Sequence, residues 1–427
     1  MSDWNIRIST FSSQVYNPIR AIADSTKPST CGKSQLTLSL GDPTLDGHLL
    51  PSEEMVQAVQ EAVGSHRHDG YVPVLGTAQA KSDVVEYWKR YLTSEATKAQ
   101  LLPENVALTC GGTHAISAAV AAICNPGDNI IVPAPGFPTY GTACRSYGVE
   151  IRFYKLHPER NFEADVADIE ALRDDRTRMI VMTNPSNPCG SNYSRAHVQE
   201  MVEVAEKLKL PLLSDEIYAG LVFQNEANPY KEFVSVADID SKAVRIILGG
   251  TAKLFTVPGW RVAWLLVVDP LKVAAGFLEG VTAQCTLVLG PSTLAQASLR
   301  ALLTTPQSHT DRIRQTLEDS SFQLYDIINA KARRSGDGAP LLKAYTPQGA
   351  MYVMLEVVVE NFDPSSPIHD DVSFYTALNE EENVLVMPGS IFGAPNFVRA
   401  VTARKKEIIT EAAERMIQLV QRYEKKV

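Results

Sequence analysis

The sequence predicts an α/β protein of two domains: a large domain with a mostly parallel, seven-stranded sheet covered by helices, and a smaller α/β domain built from the N- and C-terminal segments. Three observations lead there. The chain has 427 residues, more than one small core accommodates, and chains of this size divide into separate interiors. Short apolar runs recur between helical stretches, which is the rhythm of βαβ units in a parallel sheet. Three consecutive runs, Met179 to Met182, Leu210 to Leu213 and Val244 to Leu248, each deliver a polar cluster at their carboxyl end, and open α/β sheets bind ligands at that edge. The expected division is an N-terminal arm (1–35), a first part of the small domain (36–68), the large domain (69–304) and a second part of the small domain (305–427).

Composition narrows the function classes. Hydrophobic residues make up 45% and charged residues 21% of the chain, as in an ordinary soluble globular protein. Forty Lys and Arg against 49 Asp and Glu give a net charge of −9, which argues against nucleic acid or an anionic membrane surface as a partner. Six cysteines without a Cys-x-x-Cys pair read as reduced thiols, and the scattered histidines offer no metal spacing. The start lacks the apolar core of a secretory signal, and no run of about 18 apolar residues occurs. Cytoplasm is the expected compartment. A mitochondrial presequence is the alternative, because Arg7 and Arg20 face only Asp3 near the start.

Taken in order, residues 1 to about 35 are polar and read as a frayed terminus, except that Tyr16, Ile19 and Ile22 suggest packing. Ser39 to Gly47 is good turn chemistry around Gly41. Ser52 with Glu54 and Met55 opens a helix to about Val63, and GYVPVLG (Gly70 to Gly76) makes a turn carrying Tyr71. A strand from Val106 to Cys110 leads through Gly111 and Gly112 into an Ala-rich helix. The N–H groups of its first turn form an anion site, with Gly112, Thr113 and His114 as contacts. Strands follow at Ile130 to Val132, ahead of PAPGFPTY with its Phe137, and at Val149 to Tyr154. A helix near Val166 to Leu172 precedes Met179 to Met182 and the loop NPSNPCG, whose X–Pro bonds are candidates for cis. Leu210 to Leu213 leads into SDEIY, and Val244 to Leu248 into GGTAKLFTVPGWR, before the strand Val262 to Val268. From about Leu299 an amphipathic helix runs to about Ala332. A GDG linker (Gly336 to Gly338), the strand in GAMYVMLEVVV, VLVMPGSIFG and NFVRAV with Arg399 complete the chain.

A lysine in a Gly-flanked loop is ordinarily solvated. Lys253 does not stand alone, however, because Asn187, Asp215, Tyr218 and Arg261 leave neighbouring strand ends with it. Pyridoxal phosphate needs that set. Its aldehyde wants a nucleophilic amine, for which Lys253 is placed. Its ring nitrogen works as an electron sink only while protonated, a state that the carboxylate of Asp215 favours. Neutral donors from Asn187 and Tyr218 suit its phenolate oxygen, and the guanidinium of Arg261 suits its phosphate.

At these residues the sequence resembles the fold-type I, class I/II aminotransferases, and within them the tyrosine aminotransferase group. Asn184-Pro185-Ser186-Asn187-Pro188-Cys189-Gly190, Asp215-Glu216-Ile217-Tyr218 and the interval from Lys253 to Arg261 carry the resemblance, which extends from NPIR (Asn17 to Arg20) to NFVRAV. It implies a homodimer with shared active sites acting on amino acids and 2-oxo acids, with Lys253, Asp215 and Tyr218 catalytic. It further implies that Phe137 stacks on the cofactor, that Tyr71 reaches a phosphate across the dimer interface, and that Gly41, Asn187 and Arg399 receive the substrate, Arg399 gripping its α-carboxylate. The chain departs from the family pattern at Lys81 and Ser82, at Gly250 and Ala252 where relatives place serines, and at Ala263 where glycine is common. The missing serine leaves Thr251 as a further phosphate contact. Between Lys272 and Arg300 no Lys or Arg occurs, roughly where relatives specific for dicarboxylates place a second arginine, so aromatic or apolar donors are expected. The alternatives are a pyridoxal-phosphate C–S lyase or cyclopropane-forming synthase on the same scaffold, and a binding protein that merely keeps the fold.

Overall fold

All seven apolar runs form strands in the computed structural model, which describes residues 4–426. Asp3, counted among the terminal charges, and Val427 lie outside the described residues. After β1 (Leu36–Thr37) the chain builds β2 (Val106–Thr109), β3 (Asn129–Ala134), β4 (Glu150–His157), β5 (Glu163–Ala164), β6 (Thr177–Thr183), β7 (Leu212–Asp215), β8 (Arg245–Gly250) and β9 (Ala263–Val268). It then adds β10 (Leu342–Ala344), β11 (Tyr352–Val357), β12 (Val384–Leu385), β13 (Met387–Pro388) and β14 (Phe397–Val401).

The large sheet has the order β2-β9-β8-β7-β6-β3-β4-β5. Neighbours from β4 through β3, β6 and β7 to β8 are parallel, whereas β9 runs against both β8 and β2. The expected count of seven becomes eight because β5 adds an edge strand antiparallel to the end of β4. At two residues it is too short to show any apolar period. The central strands are buried on both faces, hence their continuous apolar runs. Each large side chain so buried contributes about 1.5–3 kcal/mol.

A second, four-stranded antiparallel sheet has the order β10-β11-β14-β13, and β1 pairs in parallel with β12. Leu36 and Leu38 share one apolar cluster with Leu355, Phe374, Val384, Ile409 and Met416, so the two chain ends close a common core. The helix Glu53–Gly64 goes elsewhere. It packs on the helices Thr293–Ala297 and Leu299–Leu303, and its Met55 joins Leu299 and Leu302 in the large core.

Two further expectations are corrected. The single helix from Leu299 to Ala332 is two, Leu299–Leu303 and Gln307–Lys331, because Pro306 has no N–H to continue the ladder and disfavours helical backbone before it. Within the polar N-terminal segment, Thr10–Gln14 and Pro18–Ser25 are helical. The second starts with Pro18 in its first turn, and the Asn17 side chain accepts from the Arg20 N–H at 3.2 Å, a strong starting signal. The peptide bonds before Pro135, Pro185 and Pro188 are cis. Among the described residues no helix is long and apolar enough to cross a membrane.

Candidate active site

The carboxyl ends of β6, β7 and β8 open onto a cavity of about 270 Å³. β7 ends on Asp215, whose buried carboxylate accepts from the Ile217 N–H at 3.3 Å and from the Tyr140 hydroxyl at 3.3 Å. Burial raises its pKa to about 6, against the lowering effects of those two donors and of the Lys253 ammonium. The next residue but two, Tyr218, turns its phenol into the same cavity. Burial, reinforced by the neighbouring Tyr352, pushes that phenol well above its ordinary pKa, so it stays protonated and able to donate. Lys253 enters from the loop after β8, half-buried, with Nζ donating to the Gly41 carbonyl at 2.7 Å.

The anion site forms where β2 hands over to the helix Gly112–Ile123. Gly111 holds φ +84°, and a Cβ there would stand 2.5 Å from Arg261 Nη2. Glycine is therefore required twice over, for the left-handed backbone and for the guanidinium lying across the helix start. Arg261, itself at φ +55°, is tied down by donating to the Pro258 and Cys110 carbonyls at 3.0 and 3.3 Å. Gly112 and Thr113 line the cavity beside it, as does Phe137.

On the opposite wall Arg399, from β14, is 2% exposed. It donates to Asn187 Oδ1 at 2.9 Å and to the Ser39 carbonyl at 2.6 Å. Rings of Tyr352 and Phe392 each lie 4.6 Å from its guanidinium carbon. Its Nε has no acceptor, the kind of open donor that a carboxylate would satisfy. Because Asn187 spends its oxygen on Arg399, its amide nitrogen remains to donate.

Ten of the sequence-predicted residues thus meet around one cavity; three stand apart. His114 Nδ1 accepts from the Cys110 N–H at 3.1 Å, so its ring braces the turn beneath the cup and does not face into it. Burial lowers its pKa, which keeps it neutral. Thr251 is buried and donates its hydroxyl to the Val262 carbonyl at 3.1 Å, a direction fixed by the β8–β9 pairing beside it. The third, Tyr71, is 92% exposed on a turn outside the cavity. The departures at 250 and 263 are one packing pair. Gly250 and Ala263 are antiparallel partners, and a Cβ at 250 would come within 2.7 Å of the tip of the Ile217 side chain and 3.0 Å of the Ala263 methyl, so a serine there would require both neighbours to shift.

Sequence reasoning missed Asn17, Ile19 and Arg20, which line the cavity from the N-terminal helix, together with Tyr352 and the Asp215 partner Tyr140. The Asn-Pro start could have located that helix, but nothing in a linear pattern announces that it lies over strand ends more than a hundred residues away. Tyr352 sits within an apolar strand and gives no signal of its own.

The donor set fits pyridoxal phosphate: a buried carboxyl for a ring N–H, an amine, a phenol and an amide beside them, and a guanidinium laid over a helix start. Among the described residues no group of three or more His, Cys, Asp or Glu side chains could hold a metal.

A family model described as aminotransferase class I and II matches residues 33–416. Tyrosine aminotransferase of Bos taurus is 36% identical over 417 residues, covering 97% of this chain and 88% of its own length. The human tyrosine aminotransferase is 33% identical over 97% of this chain and 87% of its own. Among solved structures, tyrosine aminotransferase from Leishmania infantum superposes with a TM-score of 0.92 at 37% identity, covering 99% of this chain and all of the other.

Proposed function

The chain belongs to the class I and II aminotransferases, enzymes that move amino groups with pyridoxal phosphate, and on that premise we propose which substrates and residues it uses. The amino donor is an aromatic or apolar L-amino acid, tyrosine foremost, and the acceptor a 2-oxo acid such as 2-oxoglutarate or pyruvate. The observation that carries this is that Arg399 is the one buried arginine on the described wall, in a cavity to which Ile19, Ile116, Phe137, Ile217 and Leu248 add apolar surface beside the polar groups. Arg20, a further cation on the wall beside Lys253 and Arg261, is exposed and pairs at the surface with Asp24 at 3.3 Å. A second carboxylate left unpaired in such a site costs several kcal/mol.

Pyridoxal phosphate, when bound, supplies an aldehyde for amines and a ring that takes up an electron pair. Arg399 and Gly41 orient the incoming amino acid by its α-carboxylate. Lys253 is the one lysine on the described cavity wall; once free, its amine takes the α-proton and returns it at the end of the exchange, acting as general base and acid. Asp215, ionised above about pH 6, keeps a proton on the ring nitrogen. Tyr218 and the Asn187 amide would donate to the phenolate oxygen, Phe137 would pack against the ring, and Gly112, Thr113 and Arg261 would hold the phosphate. His114 and Thr251 shape that cup from behind.

The site is completed by a second copy of the chain. Tyr71 cannot serve its own cavity from where it stands, and Val74 of its turn lies beside Gly290, which follows the exposed Leu287, Val288 and Leu289 in the chain, an apolar surface suited to a homodimer interface. The divisions at residues 35 and 304 and a cytoplasmic location are retained as part of the same reading, with the helix Glu53–Gly64 moved from the small domain to the large core. Relatives matching nearly the whole chain carry aminotransferase names, which argues against the C–S lyase and cyclopropane-forming alternatives.

The test is an amino-acid panel with 2-oxoglutarate. Exchange should be ping-pong, with tyrosine, phenylalanine, leucine and methionine preferred to aspartate. A higher specificity constant for aspartate, or release of ammonia without an acceptor, would overturn the assignment.

A further inference from the structure

We infer that Tyr352 is a positioning residue that couples the phenol of Tyr218, on the cofactor side of the cavity, to the guanidinium of Arg399, on the substrate side. The inference rests on the reading of Tyr218 as a donor to the cofactor. Tyr352 opens β11 and is 1% exposed. Its hydroxyl stands 2.5 Å from that of Tyr218, with the rings nearly perpendicular at 78°. Its ring face meets Arg399 at 4.6 Å, within the range of a cation–π contact.

Proton inventory orders the pair. A phenol has one hydrogen to donate. If Tyr218 gives its hydrogen to the cofactor oxygen, it can only accept from Tyr352, so the chain runs from Tyr352 through Tyr218 to the cofactor. Accepting a bond polarises Tyr218 and makes it a better donor. Two glycines hold this arrangement. A Cβ on Gly41 would stand 2.4 Å from the Tyr352 hydroxyl, and one on Gly190 2.2 Å from the Tyr352 carbonyl oxygen. The space that Gly41 leaves is thus occupied by a phenol, and the last glycine of NPSNPCG admits the strand that carries it.

The two halves of Tyr352 separate experimentally in the holoenzyme. Tyr352→Phe removes the hydroxyl and keeps the ring, so the pH midpoint of the cofactor's visible absorbance should rise by about half a unit, the equivalent of one lost hydrogen bond. The sign follows because a weaker donor leaves more negative charge on the phenolate oxygen, which holds the neighbouring proton more tightly. The KM for the amino acid should stay within about twofold. Tyr352→Leu removes the ring as well and should raise that KM roughly three- to tenfold. In a Tyr218→Phe background, Tyr352→Phe should add no further change in midpoint, since it acts through Tyr218. An unmoved midpoint in Tyr352→Phe, or an equal change in both backgrounds, overturns the coupling. If Tyr218→Phe alone leaves the midpoint in place, what fails is the reading of Tyr218. Thermal melts accompany each variant; should Tyr352→Leu fold poorly, the Phe variants decide the question by themselves.

Discussion

Asp215→Asn should stabilise the cofactor-free protein while disabling the enzyme. In an unfolded chain this carboxyl ionises near its ordinary value of 3.8; in the folded, cofactor-free protein burial raises that to about 6. The folded state therefore binds the proton more tightly, and stability is lost as pH rises from about 4 through about 6. At pH 7.5 the whole difference is present, about 3 kcal/mol. Asparagine carries no charge and escapes it. It also offers one acceptor where the carboxylate offers two, to the Ile217 N–H and the Tyr140 hydroxyl, which returns about 1 kcal/mol. The net gain of about 2 kcal/mol should appear as a melting temperature roughly 2 °C higher for a chain of this size. With cofactor bound the order reverses, since only the carboxylate can pair with a protonated ring nitrogen. Turnover should then fall by roughly 10²-fold or more, with far less effect on cofactor retention. The assay is a thermal melt of wild type and variant at pH 7.5, with and without cofactor, alongside kcat for tyrosine. A cofactor-free variant melting at or below wild type refutes the burial argument, and native turnover refutes the electron-sink role.

Three further outcomes are expected. Lys253→Ala should lose the visible absorbance of protein-bound cofactor, and borohydride should no longer fix the cofactor to the chain; an unchanged, still trappable band would remove Lys253 from its role. Gly190→Ala should lower stability by at least about 2 kcal/mol, since its φ of +65° disfavours any side chain and the new methyl would meet the Tyr352 carbonyl at 2.2 Å; a melt matching wild type would show that β11 can shift to make room. Refolding a mixture of Tyr71→Ala and Lys253→Ala chains, each impaired alone, should restore activity toward one native site per mixed dimer, whereas activity at the parental average in proven mixed dimers would place Tyr71 in its own subunit's site.

The large domain was legible because its central strands are buried on both faces and so appear as unbroken apolar runs, each followed by the polar residues that its end presents. Lys253, Asp215, Asn187 and Arg261 belong to that grammar. Tyr352 and Tyr140 do not, because each reaches the site across the fold from an apolar or proline-rich context in which an aromatic ring is ordinarily core. Thr251 and His114 had the right position and the wrong direction: spacing along a chain does not say which way a hydroxyl or a ring turns, and neighbouring backbone groups claimed both. The break at Pro306 was readable in principle, since one proline outweighs an amphipathic pattern running through it.

The pairing of Leu36 with Val384 closes a loop of 348 residues (384 − 36), and this sets an order of assembly. Such a contact gains nothing until the entropy of closing the loop has been met, and topologies dominated by distant pairings fold slowly. During synthesis the strands from Val106 to Val268 leave the ribosome with all their sheet partners already made, whereas Leu36 and Leu38 must wait for β12 and β14. The N-terminal leucines are thus exposed for most of translation, and Arg399 meets the Ser39 carbonyl only among the last steps. The cofactor-binding half can take shape on a nascent chain, but the grip on a substrate carboxylate cannot form until β14 has been added.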